Sequence, residues 1–168
     1  MRKLIFLVFS LLVFASVAMA QNKLDTKWHC PKQSEDHSFA VGDVPGHSYM
    51  ILQGTCTATS SATDYPEKSA EFTEFREVWK ASTTNHGRFN VTMENGDKVF
   101  YTYGGSASAD LAKPATNKWK INSGTGKYKG IKGSGTCTGT MHEDESSDWH
   151  CTGTYSMGKM GKMKKMKK

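Results

Sequence analysis

Helix signals are nearly absent from this 168-residue chain. Outside one ambiguous stretch, apolar residues do not recur at the three- and four-residue spacing of a helix face, which points to an all-β protein. No apolar run after residue 20 approaches the ~20 residues that a membrane helix needs. No CxxC or HxxxH spacing occurs, so zinc is the minor alternative for the cysteines and no metal ligand is assigned. No Ser-His-Asp order or paired-carboxylate motif stands out either. No catalytic residue and no cofactor is therefore expected.

Basic charge is missing from where a nucleic-acid-binding face would need it. The formal net charge is +6, yet Arg2 and Lys3 lie at the extreme N-terminus and six lysines crowd the last ten residues. Of 22 basic groups, 14 fall within residues 21–158, against 16 acidic ones, a net charge of −2 for that span. A nucleic-acid-binding fold spreads Lys and Arg over a folded face, so no specific nucleic-acid partner is expected.

What is present begins with an export signal. Arg2 and Lys3 precede the apolar run Leu4 to Val17, and Ala18-Met19-Ala20 is a small-x-small cleavage site, the pattern of a secretory signal peptide over residues 1–20. No cysteine follows that site, which argues against a lipoprotein. The expected product is secreted or periplasmic, with one domain over 21–157 and a tail over 158–168. Its four cysteines, Cys30, Cys56, Cys137 and Cys151, are an even number in an oxidising compartment and read as two disulfides.

Alternating patterns place the strands. Trp28–Cys30 (resuming near Phe39), Ser48–Thr59, Glu71–Lys80, Lys118–Asn122, Gly133–Met141 and Trp149–Met157 join a hairpin in "RFNVTMENGDKVFYTY" to give eight. "EFTEFREVWK" is the ambiguous stretch, since Phe72, Phe75 and Trp79 also fit helical spacing; strand is the preferred reading. Asn95-Gly96 suits a two-residue type I′ turn. That register would set Phe89, Val91 and Met93 beside Lys98, Phe100 and Thr102 on one face, with Val99, Tyr101 and Tyr103 on the other. Cys56 shares a face with Met50, Leu52 and Ala58, Cys137 with four small or apolar neighbours, and Cys151 with Trp149 and Tyr155. Four cysteines permit three connectivities; the faces favour Cys30–Cys56 and Cys137–Cys151.

The segment "SGTGKYKGIKGSGTCTGT" raises the question of a phosphate loop. Gly126-Lys127 is followed by Tyr128 instead of Ser or Thr, and the glycines open onto strand sequence instead of a helix, so both the Walker and the dinucleotide patterns fail. From Trp119 to Thr140 the pattern W-x-I-x-x-GTGKYKGIKGSGTCTGT resembles the GTGxYxGxxGxG strand segment of allene oxide cyclase barrel-like and dirigent-like proteins, and "NGDKVFYTYGG" looks like their preceding hairpin. The resemblance covers residues 86–157. It implies an eight-stranded antiparallel barrel of calycin or allene oxide cyclase type, known in bacteria as small exported proteins, and the strand count agrees. Inward glycines fit the narrow interior of such a barrel.

A barrel of this kind implies a lumen. Phe89, Val91, Phe100 and Trp119 are the apolar candidates to line it, with Glu74 and Arg76, which share a strand face, as a polar lumen contact or a surface ion pair. A non-enzymatic role binding a small apolar ligand or an envelope component is the leading expectation. A lumen enzyme of isomerase or cyclase type is the alternative, and the two differ in whether buried ionisable groups line the cavity. A third reading is surface recognition through the outward rows Thr55, Thr57, Thr59; Thr136, Thr138, Thr140; and Thr152, Thr154. His29 and His150 each precede a cysteine and become neighbours if the first and last strands pair.

The tail "MGKMGKMKKMKK" carries Met157, Met160, Met163 and Met166 at every third position, soft ligands for Cu(I). Six lysines among them, Lys159, Lys162, Lys164, Lys165, Lys167 and Lys168, oppose a cation and suit an anionic envelope surface or plain solubility. Deleting residues 158–168 from the chain lacking its leader should leave folding unchanged while moving its net charge from +4 to −2. Binding to anionic vesicles should vanish on truncation and weaken in the intact chain as salt shortens the screening length to about 8 Å. Vesicle binding that survives truncation would move the contact onto the folded domain.

Overall fold

The computed structural model describes residues 21–158, so the expected signal peptide and the six tail lysines from Lys159 to Lys168 lie outside the described residues. Nine strands are present among the described residues: β1 (Asn22–Cys30), β2 (Glu35–Ala40), β3 (Ser48–Ser60), β4 (Glu67–Val78), β5 (Ser82–Met93), β6 (Lys98–Ser108), β7 (Ala115–Gly124), β8 (Lys132–Met141) and β9 (Ser147–Ser156). The ambiguous stretch is strand, in β4. Every pairing is antiparallel, in the order β1-β9-β8-β7-β6-β5-β4-β3, and β3 returns to β1. That closes an eight-stranded barrel, as the strand count implied, and closure satisfies the edges that an open sheet leaves unpaired. β2 continues the line of β1 along the first half of β3, with Ala40 opposite Ser48.

Both disulfides join neighbouring strands, Cys30–Cys56 from β1 to β3 and Cys137–Cys151 from β8 to β9. They are the pairs that the strand faces favoured, and they point to an oxidising location outside the cytoplasm. Among the described residues no helix is long and apolar enough to cross a membrane.

The β5–β6 hairpin corrects the expected register. Met93 N–H donates to Asp97 O at 2.9 Å and Gly96 N–H to Met93 O at 2.9 Å, while Thr92 stands opposite Lys98. The loop therefore holds three residues, Glu94-Asn95-Gly96, and of these Gly96 alone has positive φ, 82°. A type I turn closed by a left-handed glycine replaces the two-residue turn. One extra residue flips the whole partner strand. Val91 stands opposite Val99 and Phe89 opposite Tyr101, so Val99, Tyr101 and Tyr103 face inward and Phe100 faces out. Phe100 is thereby removed from the set of lumen residues.

The interior is a cup. At one end Val91, Met93, Val99, Ile121 and Ile131 are fully buried, and Tyr65 lies against Tyr155 (ring centroids 4.5 Å apart) and Tyr128 (5.5 Å) to seal it. Toward the other end the inward rings are large, and each finds a glycine directly across the strand pair: Phe72 opposite Gly54, Tyr103 opposite Gly87, Trp119 opposite Gly135, Trp149 opposite Gly139. A Cβ on any of these glycines would collide with the ring it faces. The glycine-rich segment is therefore barrel wall thinned to admit Trp119, which Gly153 also accommodates.

Gly96 has no neighbour within 4 Å of an added Cβ, so its constraint is conformational alone. Gly96→Val should destabilise the barrel by about 1–2 kcal/mol, because a β-branched residue resists positive φ. A thermal or urea melt checks it, and an unchanged midpoint would contradict this turn geometry.

Candidate functional site

The open end of the cup leads into a cavity of about 480 Å³. Inward positions on six strands supply its aromatic wall: Trp28 from β1, Phe72 from β4, Phe89 from β5, Tyr101 from β6, Trp119 from β7 and Trp149 from β9. Phe89 meets Trp28 edge-on with centroids 5.0 Å apart. All four cysteines also line the cavity, so the disulfides stitch the wall itself.

One side of the wall is polar. Glu74 is 5% exposed and fully engaged: Arg76 donates to its Oε1 from Nε at 2.8 Å and approaches through Nη2 at 2.6 Å. Asn85 Nδ2 donates to Oε2 at 2.6 Å, as does the Tyr103 hydroxyl at 2.9 Å. Strand register brings these groups together, since Arg76 stands opposite Asn85 and Glu74 opposite Gly87, which in turn faces Tyr103. Burial, then the neighbouring Glu74 charge, raises the Tyr103 pKa, so the phenol stays protonated. Asn85 Oδ1 has no partner. It is an acceptor held at the cavity wall.

A second carboxyl lies deeper. Glu67, at the start of β4, is 4% exposed. The Tyr101 hydroxyl donates to its Oε1 at 2.8 Å, and with that proton committed Tyr65 donates to Tyr101 at 2.7 Å. Thr26 from β1 faces the same carboxyl, but its hydroxyl and Glu67 Oε2 both lack an aligned partner. Burial pushes the Glu67 pKa up to about 7, against the hydrogen bonds that oppose it. Burial likewise raises Tyr65 and Tyr101, each reinforced by the carboxyl beside it.

Of the residues singled out in the sequence, Phe89, Trp119, Glu74 and Arg76 line this cavity. Val91 is fully buried in the seal beneath it, and Phe100 is on the outer face. Glu67, Asn85 and Tyr103 were not anticipated. Alternation back from Ala70, Phe72 and Glu74 would point residue 67 outward, but a bulge between Glu67 and Ser69 turns it in. Asn85 and Tyr103 follow once the β5 and β6 faces are known.

The histidines serve other purposes. First and last strands do pair, yet His29 and His142 share Asp148 at 2.8 and 3.0 Å, and His150 meets Asp25 at 2.9 Å. Among the described residues no group of three ligating side chains is placed to hold a metal ion. His47 is buried between Asp43 (2.7 Å to Nδ1) and Glu77 (3.2 Å to Nε2) and stacks on Trp79 with centroids 3.7 Å apart. Burial alone would lower its pKa, but the two carboxylates outweigh that and raise it. The threonine rows are outward on β3, β8 and β9.

No family model matches the chain, and neither does any curated protein. Among solved structures, two pterocarpan synthase dirigent proteins share the fold. One aligns at a TM-score of 0.51 with 9% identity, over 86% of this chain and 95% of its own. The second aligns at 0.50 with 10% identity, over 83% and 97%. A pyocyanin demethylase aligns at 0.42 with 14% identity over 79% and 98%, a score too low to carry weight. The chain has a dirigent-like barrel. The further likeness to allene oxide cyclases rests on the glycine motif alone.

Glu67 makes stability depend on pH. Its folded pKa of about 7 exceeds the unfolded carboxylate value of about 4.3, so between those values the native state keeps a proton that the unfolded chain has lost. The stabilisation is whole below about pH 4 and is lost as pH rises through 7. Glu67→Gln should abolish that slope and, at pH 8, raise stability over the parent by on the order of 2–3 kcal/mol. Urea titrations of both proteins at pH 5 and 8 check this; parallel pH dependences would show that Glu67 does not titrate in this range.

Proposed function

We propose that this protein is an exported binding barrel that holds a small, largely apolar molecule in its cavity. The observation that carries the reading is the cavity itself: about 480 Å³, open at one end, walled by aromatic rings, with a few convergent polar groups. Ligand sites of ~300–1,000 Å³ are commonly built this way. The leader pattern over residues 1–20 and the two disulfides support export. The lysine-rich tail would add contact with an anionic envelope surface, and the outward threonines are the remaining candidate for surface recognition.

A second reading, a lumen enzyme of isomerase or cyclase type, is favoured by one specific observation. Glu67 is a buried carboxyl with a free oxygen and a pKa near neutrality, which suits a general acid or base. The unpartnered hydroxyl beside it, Thr26, does not line the cavity, and Tyr101 and Tyr65 are committed to hydrogen bonds. Glu74, the other buried carboxylate, is occupied by Arg76, Asn85 and Tyr103. Binding is therefore the better-supported function.

Protein purified without denaturation should carry its ligand into native mass spectrometry as a discrete added mass. Ala107 lines the cavity opposite Thr83 near the mouth; Ala107→Trp should fill that space, remove the added mass and leave the melting temperature close to the parent's. A folded variant that retains the full complement of ligand would place binding elsewhere.

A further inference from the structure

We propose that the molecule this cavity accepts is a hydrophobic organic cation, such as an arylalkylamine in its ammonium form. The inference rests on the cavity's being a binding site and goes beyond it in assigning the ligand's charge.

The first observation is the imbalance of charged groups along the wall and mouth. Asp36, Glu67, Glu74, Glu143 and Glu145 line the cavity against one guanidinium, Arg76. Arg76 is committed to Glu74 by two contacts, and Lys32 holds Glu145 from outside the lining at 2.7 Å. His142, at the mouth, is held by Asp148. Asp36 shares the field of Lys32 with Glu145, while Glu143 at the entrance and Glu67 at the floor have no basic partner among the described residues. Such an entrance concentrates cations and repels anions.

A second, independent observation lies inside. Two polar atoms of cavity-lining residues lack a partner, Asn85 Oδ1, which is an acceptor, and Glu67 Oε2, which becomes one when the carboxyl loses its proton, and Glu67 is 4% exposed. Buried polar atoms are seldom left without partners, and acceptors in this state call for a donor-bearing ligand. An anion would find Arg76 occupied, the Trp119 Nε1 donor, and at Glu67 a carboxyl whose ionisation it opposes. A cation finds the Asn85 acceptor, a Glu67 carboxyl that becomes a second one on losing its proton, and a cage of rings, whose faces carry the negative part of the aromatic quadrupole.

The floor then couples binding to pH. Glu67 is surrounded by Tyr101 and Tyr65, by Thr26 from β1, and farther off by Tyr155 with its partner Asp64. None of these supplies a positive charge, and Arg76, higher on β4, is spent on Glu74. An ammonium entering beside the carboxyl favours its ionised form, so the proton leaves as the cation binds and affinity rises with pH through neutrality.

Three probes with one ring system separate charge from shape: 1-naphthylmethylammonium, 1-naphthylmethanol and 1-naphthoate, titrated calorimetrically into the protein at pH 6 and pH 8. At pH 8 the ammonium should bind at least about tenfold tighter than the alcohol, as a desolvated cation–π and carboxylate contact allows, and the carboxylate weakest. Lowering the pH to 6 should weaken the ammonium by up to about tenfold and leave the alcohol unchanged. Glu67→Gln should bring the ammonium's affinity down toward the alcohol's and remove its pH dependence. Should that variant fail to fold, Asp36→Asn with Glu143→Gln on the exposed mouth should weaken the ammonium alone. An alcohol that binds the parent as tightly as the ammonium overturns the charge assignment and leaves the cavity reading standing. Failure of all three probes to bind at either pH overturns both.

Discussion

The interior of an eight-stranded barrel has limited room, and this chain's use of that room rests on one steric relation: a large aromatic ring on one strand lies over a glycine on the next. Phe72 over Gly54, Tyr103 over Gly87, Trp119 over Gly135 and Trp149 over Gly139 each put the volume of a ring where the facing strand has no side chain. A Cβ at any of these glycines would force the ring out of place, and interiors packed to crystal density absorb such shifts poorly. The rings make the cavity wall, so the same relation that fills the barrel sets the shape of the site.

The two ends of the cup divide stability from recognition. The sealed end is apolar and tyrosine-capped, with its fully buried side chains packed on one another. The open end tolerates buried charge because each charged group there has been answered differently. Glu74 is neutralised by a guanidinium and two neutral donors, whereas Glu67 is answered by burial that holds its proton. Two carboxyls on one strand thus stand in different circumstances, the first tied into an ion pair and two hydrogen bonds and the second a group that a ligand's charge can move.

Much of this was legible in the sequence where a strand runs straight. Period-two alternation in β8 and β9 placed Cys137 and Cys151 on the inner face, and the same pattern in β3 placed Cys56, so faces together with the pairing of successive strands favoured the observed bridges among three connectivities. Legibility failed wherever the chain gained a residue. The three-residue turn at Glu94-Asn95-Gly96 reversed every face on β6, moving Phe100 out and Tyr101 and Tyr103 in, because Asn-Gly reads the same in a two-residue turn and in a turn ending on a left-handed glycine. The bulge at Glu67 hid the buried carboxyl behind a stretch, "TDYPEK", that looks like connection. β1 was longer than its apolar content suggested. Leu24 and Thr26 are its inward residues before Trp28, and a threonine marks an inner face poorly.

The seam of the barrel has a consequence for how the chain reaches this state. β1, the first strand in the sequence, is held between β3 and β9, and β9 is the last. The ladder from β3 to β9 can assemble by successive hairpins, each closing a short loop, but the ring cannot be completed until its final strand has been made and brought back about 120 residues to the first, where His29 meets Asp148 across 119 positions. A chain emerging N-terminus first therefore holds an open, unsatisfied sheet edge until β9 has been made. The Cys30–Cys56 bridge spans 26 residues, so it can form while most of the barrel is still absent and tether β1 to β3 until β9 arrives.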